Sequence, residues 1–282
     1  MATLKVGKSL TDTDVLWRYL PLDKFIDLLE SKTLFFAPLA WFEKTDPFEG
    51  YVPHVAMEAM AAIARKHRDE HLVAIEKLAQ MLPEQAAPQI RMLRANAESH
   101  LPTMGALFKN ISTCLMVNCW YRSEHESEGM WGLYSKGGVA IKTSIGSLKA
   151  AISGGTEKPV IHVGSVKYID FSDASLKASD CVSDDGQLIG MIKRVAYKHE
   201  QEVRMYISRE REEGSLELQA PAPMRISVDM EKLLEQVVIS PFAGESINRS
   251  VRAICKWGGV SDSIVSKSNL LENCEYLLDV YK

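Results

Sequence analysis

Little in this sequence points to a cross-linked, metal-stapled or membrane-embedded protein. Its 282 residues include only five cysteines, at 114, 119, 181, 255 and 274. They are odd in number, widely spaced and form no Cys-x-x-Cys pair, which argues against a disulfide framework or a structural zinc site. Cys114 and Cys119 fall in an apolar stretch and read as small core residues. No apolar run approaches the roughly 20 residues that span a bilayer. The opening MATLKVGKSL has no apolar signal core, so the expectation is a cytoplasmic protein with no membrane partner. The net charge of -4 supplies no overall basic field to draw the chain to nucleic acid. Also missing are a glycine-rich dinucleotide fingerprint, a Walker-type lysine loop and a Gly-x-Ser-x-Gly elbow. Nothing therefore supports a kinase, a Rossmann dehydrogenase or an α/β-hydrolase. There is no internal repeat, low-complexity tract or clear linker.

What is present begins at Val15-Leu16-Trp17-Arg18-Tyr19, an apolar strand interrupted by one arginine. A buried guanidinium is costly unless it is paired or binds an anion, so Arg18 marks the start of a candidate site. Pro21 suits the first turn of a helix, and Phe25, Ile26, Leu28 and Leu29 recur at helical spacing. Leu34-Phe35-Phe36 predicts a second strand, followed by a loop, Glu43 to Gly50, rich in carboxylates and turn formers that includes Asp46. Residues 53–108 are rich in good helix formers and are broken by Pro83 and Pro88. They predict a helical insertion, with a second helix at about 88–99. A buried strand is expected over 111–120.

Ser123 and Glu126 form a capping-box pattern that would open a short helix ending at Tyr134. Further strands are expected at 139–143, 158–168, 202–208, 223–228, 236–240 and 263–266. Helices are expected at 144–152, 186–198, 231–235 and 244–257, with turns at Gly154-Gly155 and Gly214-Ser215. The simplest account is one α+β domain over 1–282, a mixed, mainly antiparallel sheet flanked by helices, with 53–108 inserted.

Three groups of residues could carry chemistry. His67-Arg68-Asp69-Glu70-His71 matches a zinc-protease string, but its neighbours crowd the turn with charge. A solvated helix face accounts for it, and no metal is expected. Ser127, Met130, Trp131 and Tyr134 share a helix face, as a core stripe or as the aromatic wall of a cleft. On a strand, alternation would gather Glu200, Glu202 and Arg204 on one face, as a structural ion pair or as a tuned catalytic glutamate.

Leu16-Trp17-Arg18-Tyr19, Leu34-Phe35-Phe36, Trp41-Phe42 with Asp46-Pro47-Phe48-Glu49, Met130-Trp131-Gly132-Leu133-Tyr134 and Glu200-Gln201-Glu202-Val203-Arg204 together resemble a bacterial family catalogued as domain of unknown function 2971. The loop departs from that pattern by inserting Glu43-Lys44-Thr45. More distantly, the order of an arginine on the first strand, an aromatic helix and a late glutamate looks like the ADP-ribosyltransferase fold. That resemblance implies an effector of defence or stress response that uses NAD as substrate. Arg18 would hold NAD, with Asp46 and Arg204 in the same cleft. Trp131 and Tyr134 would line the nicotinamide pocket. Glu202, or Glu200 in its place, would drive transfer to nucleic acid or protein. The Ser-Thr-Ser strand of one branch and the His-Thr pair of another are both missing. The alternative is a non-catalytic sensor that binds a nucleotide or a partner in the same cleft.

Overall fold

The computed structural model describes residues 3–152, 159–187, 190–208 and 222–272, and over 100–113 the backbone alone. The strands are β1 (Thr3–Val6), β2 (Val15–Leu20), β3 (Thr33–Pro38), β4 (Leu115–Arg122), β5 (Val139–Ser144), β6 (Val160–Ser165), β7 (Lys167–Ile169), β8 (Ile192–Arg194), β9 (Glu202–Ser208), β10 (Met224–Ser227), β11 (Gln236–Ile239) and β12 (Val265–Lys267). The helices are α1 (Leu22–Ser31), α2 (His54–Met81), α3 (Ala87–Cys114), α4 (Glu128–Tyr134), α5 (Ile145–Ile152), α6 (Met230–Leu233) and α7 (Glu245–Trp257). No helix among the described residues is long and apolar enough to cross a membrane.

Ten strands form one sheet in the order β1-β6-β9-β4-β2-β5-β11-β12, with β3 joined to β4 and carrying β10. Only β1–β6 and β11–β12 pair in parallel within it. The sheet is therefore mixed and mainly antiparallel, flanked by helices, as composition and pattern suggested. One edge of β4 is shared: β2 pairs near Tyr121 and Arg122, and β3 pairs near Met116 and Val117. In the gap between them the Asn118 amide donates to the Phe35 carbonyl at 2.9 Å, and Trp120 Nε1 donates to Asn118 Oδ1 at 2.7 Å. A side chain thus replaces the missing ladder bonds, as a buried backbone carbonyl requires.

The main core packs Leu16, Leu20, Met116, Trp120, Ile141, Val203, Met205 and Ile207 against Phe25, Leu28 and Leu29 of α1 and Val251 of α7. These residues alternate along their strands. The residues between them therefore face the other way, where Trp17, Tyr19, Tyr121 and Trp131 form a second, smaller core.

The 53–108 segment is helical, as its composition predicts, and forms the hairpin α2–α3. Pro83 and Pro88 sit where they can be tolerated, ahead of a short 3₁₀ turn and in the first turn of α3. The second helix outruns expectation, continuing to Cys114, so β4 starts at Leu115 rather than at 111.

Two other expectations fail. No helix spans 186–198, because Ile192–Arg194 forms β8 in parallel with β7, and 195–200 is a 3₁₀ turn. The cap of α4 is Ser127, whose Oγ accepts from Met130 N at 3.3 Å, whereas Ser123 caps only a turn at His125. The turns expected at Gly154-Gly155 and Gly214-Ser215 lie outside the described residues.

Candidate functional site

Strand alternation places Glu202 and Arg204 side by side on the smaller-core face of β9, with Cys119 of β4 directly opposite Arg204. Two other segments close over them. β8 contributes Lys193, the 3₁₀ turn before β9 contributes Glu200, and the loop after β3 contributes Glu49. The result is a buried network of three carboxylates and two cations. Arg204 Nε donates to Glu202 Oε1 at 2.6 Å and Nη2 to Glu202 Oε2 at 3.0 Å. Its Nη1 donates to Glu49 at 2.8 Å and to the Gly190 carbonyl at 2.6 Å. Gly190 has φ 73, a left-handed conformation that suits glycine and presents that carbonyl. Lys193 Nζ reaches Glu200 at 2.5 Å, Glu202 at 3.1 Å and Glu49 at 3.6 Å.

Both oxygens of the Glu202 carboxylate are in use. Burial alone would push its pKa up. The charges of Arg204 and Lys193, and hydrogen bonds from Arg204 and the Cys119 thiol, overcome this and hold it well below the usual carboxylate range. Burial, then the nearby Glu202 charge, push the Cys119 thiol far above its ordinary value, so it stays protonated and donates. Burial would lower Lys193, but the Glu202 charge leads the neighbours that raise it. A carboxylate has about four acceptor sites, and three of them take Arg204 Nε, Arg204 Nη2 and Lys193 Nζ, with the Cys119 thiol beside them. Both oxygens are committed to cations, which leaves Glu202 a poor proton acceptor for a substrate.

Not all the residues singled out in the sequence meet here. Glu200, Glu202 and Arg204 come together, although Glu200 reaches the network from the 3₁₀ turn and not from the strand. Between the two glutamates Gln201 takes a left-handed conformation, φ 37 and ψ 48. Tyr134 joins from α4, its hydroxyl donating to Glu200 at 2.9 Å. Asp46 sits beside the network, accepting from Arg194 at 2.7 Å and from Phe48 N at 3.1 Å.

Trp131 and Arg18 do not share a cleft with Glu202. Trp131 is wholly buried in the smaller core, with the Tyr19 ring 4.9 Å away and its Nε1 donating to Glu126 at 2.7 Å. Arg18 faces the main core between Leu16 and Leu20, on the side of the sheet opposite Glu202. It lies 5.7 Å from the Trp120 ring centroid, and no described residue accepts a hydrogen bond from it. Burial lowers its pKa to about 10, still cationic at neutral pH. The acid or anion expected for Arg18 is replaced by an indole face. His67 and His71 lie on the exposed side of α2. Among the described residues no group of three or more His, Cys, Asp or Glu is placed to hold a metal.

The open space near this network lies at the Arg122 end of β4. A cleft of about 380 Å³ is lined by Asp14, Arg122, Ser123, Glu124, Ser165, Tyr168, Gln201 and Glu202, with Val15 and Val166. Arg122 pairs with Asp14 at 2.8 Å, and Tyr168 Oη accepts from Glu202 N at 2.8 Å. Burial, then the Glu202 charge, raise the Tyr168 hydroxyl far above its ordinary value, so it stays protonated.

Sequence reasoning missed Glu49, Lys193, Tyr168, Arg122 and Asp14. The acidic loop was a signal for Glu49. Lys193 gave none, because its strand exists only by pairing with β7. No family model matches the chain, and no curated protein or solved structure matches it either.

Proposed function

We propose that this protein is a binding module whose cleft takes a hydroxyl-rich small molecule, a sugar or the ribose of a nucleotide. The lining of that cleft carries the reading. Asp14 and Glu124 offer carboxylate acceptors, Arg122 a guanidinium donor, and Ser123, Ser165, Tyr168 and Gln201 neutral polar groups. Such a set matches vicinal hydroxyls, which both donate and accept. It suits a free phosphate poorly, because the one guanidinium shares the cleft with the carboxylates of Asp14 and Glu124, whose charges repel an anion. The volume of about 380 Å³ falls at the lower end of small-molecule sites. Glu202 serves here as part of the frame behind the cleft and not as a base.

One observation favours the catalytic alternative, ADP-ribosyl transfer from NAD to nucleic acid or protein. Glu202 is held ionised and is among the cleft residues. That reading requires Glu202 to leave Arg204 and Lys193 when NAD arrives. A single pair of assays separates the two. Calorimetry with ADP-ribose, NAD, a plain hexose and inorganic phosphate should show binding of one or more sugar-bearing ligands and none of phosphate. Arg122→Ala should weaken it about tenfold, the loss of one charge-assisted hydrogen bond. No sugar-bearing ligand bound would overturn the module reading. Nicotinamide release from NAD by the native protein, lost in Glu202→Gln, would establish the catalytic one.

A further inference from the structure

Beyond Met60 the only buried side chains described in the α2–α3 hairpin are Ala64, Ile90 and Ala97. Meanwhile Ile63 is 59% exposed, Leu78 41% and Met81 83%. Residues 61–81 of α2 extend over roughly 30 Å of helix.

Exposed residues run all round α2, Val73 at 56% among them, but one set of them aligns. Ile63, His67, Glu70, Ala74, Leu78 and Met81 recur at spacings of three and four, so they share one stripe of α2. Beside the stripe, His71, Ala74 and Ile75 of α2 and Leu93, Asn96 and Ala97 of α3 line a groove of about 330 Å³. Its small side chains, Ala74 and Ala97, would let another helix approach closely.

The stripe is also self-complementary about a point between residues 70 and 71. An antiparallel second α2 with its two-fold axis there sets Ile63 opposite Leu78 of the second copy, apolar on apolar. His67 falls opposite Ala74, large on small. Glu70 falls opposite His71, a carboxylate opposite an imidazole. Each contact occurs twice, as an isologous two-fold interface demands. A foreign helix has no reason to fit this palindrome.

We infer that the groove and stripe of the α2–α3 hairpin are the interface for a second copy of this chain, two hairpins packing antiparallel into a four-helix bundle. Such bundles bury stripes of this spacing in their shared core, here apolar toward its ends at Ile63, Leu78 and Met81 and polar at the two-fold axis. The cleft at Arg122 is not part of this surface, so the inference stands apart from the proposed ligand.

Analytical ultracentrifugation across a concentration series tests it. The expected mass is twice the 31.5 kDa chain, falling to one chain on dilution. Ile63→Asp and Leu78→Asp should each give a monomer with an unchanged circular dichroism spectrum, since both side chains are already exposed. Glu70→Lys and His71→Glu should each weaken the dimer, and the double exchange should restore it. A single-chain mass at every attainable concentration would overturn the inference. So would a dimer indifferent to Ile63→Asp and Leu78→Asp, or a double exchange no better than either single one.

Discussion

Arg204 and Arg18 belong to the same sheet, separated only by β4, and face opposite ways. Arg204 is 1% exposed and donates to Glu202, Glu49 and the Gly190 carbonyl. Arg18 has the Trp120 ring and no acceptor among the described residues. Their environments act on the charge in opposite senses. Burial would lower Arg204, but Glu202 and Glu49 carry it well above its ordinary value, whereas burial leaves Arg18 reduced to about 10. The lesson is that a buried charge in an apolar strand does not by itself locate a site. Arg204 is indispensable to its surroundings because two carboxylates were buried with it. Arg18 is tolerated because its stem packs in the core and its head rests on a π face.

The strongest test of that difference is Arg204→Met. It fills similar volume but leaves Glu202 and Glu49 buried with Lys193 as their only nearby cation. Removing one partner of a buried pair costs about 3–5 kcal/mol. Urea denaturation should show a loss of that size at neutral pH. A loss under about 1 kcal/mol would mean that water reaches the network and screens it as it does surface pairs.

Glu202→Gln is the next step down. The amide keeps the shape but loses the charge that Arg204 and Lys193 share. Hydrogen bonds to charged groups are each worth about 1.5–3 kcal/mol, and the variant should lose about that much at pH 7. It should also change the pH dependence. The native-state pKa of Glu202 lies below its ordinary value of 4.5. The unfolded state therefore binds the proton first as pH falls. The stabilisation from Glu202 is present above about pH 4.5 and fades as the pH drops toward the folded-state value. In Glu202→Gln this part of the acid loss should vanish, and a denaturation midpoint followed from pH 7 to 3 would show a shallower slope than in the native protein. Equal slopes would place the acid-sensitive group elsewhere.

The paired face was partly legible in the sequence. Glu202 and Arg204 alternate on a run, 202–208, whose β-branched and aromatic residues fix it as a strand. Lys193 was not legible, since its neighbours Met191, Ile192, Val195 and Ala196 fit a helix as well as a strand. β8 is three residues long, and only the register of Lys167 against Ile192 decides for strand. Glu49 lies 155 residues from Arg204, so no local pattern could join them. Trp131 was misread for a different reason. Met130, Trp131 and Tyr134 do share a helix face, but α4 packs on the sheet over β2, so the stripe runs from a buried Trp131 to an exposed Tyr134. Periodicity identifies a face and leaves open how deeply each residue on it is sunk.

Tyr134→Phe probes the rim of the network. It removes one hydrogen bond to Glu200, whose other partner Lys193 remains. The expected cost is about 0.5–1 kcal/mol, read as a small drop in denaturation midpoint. A loss approaching that of Glu202→Gln would show that the rim and the buried centre form one cooperative unit.

Arg18→Met should have the smallest effect and the least usual sign. Replacing a half-buried charge with an apolar side chain of similar length removes part of a desolvation penalty, and such exchanges are commonly neutral or stabilising. No described carboxylate is left behind, because none of them pairs with Arg18. The Met thioether can occupy the space along Leu16 and Leu20 and rest against Trp120, where sulfur–aromatic contact is favourable. The loss is one cation–π contact, worth about 0.5–2 kcal/mol according to its exposure. The two terms are of similar size, so the net change in unfolding free energy should stay within about 1 kcal/mol of zero. The measurement that decides is the pair of denaturation curves for Arg18→Met and Arg204→Met under one condition. If Arg18→Met is the more damaging, Arg18 has an anionic partner, and the side of the sheet facing α1 becomes the place to look for a bound ligand.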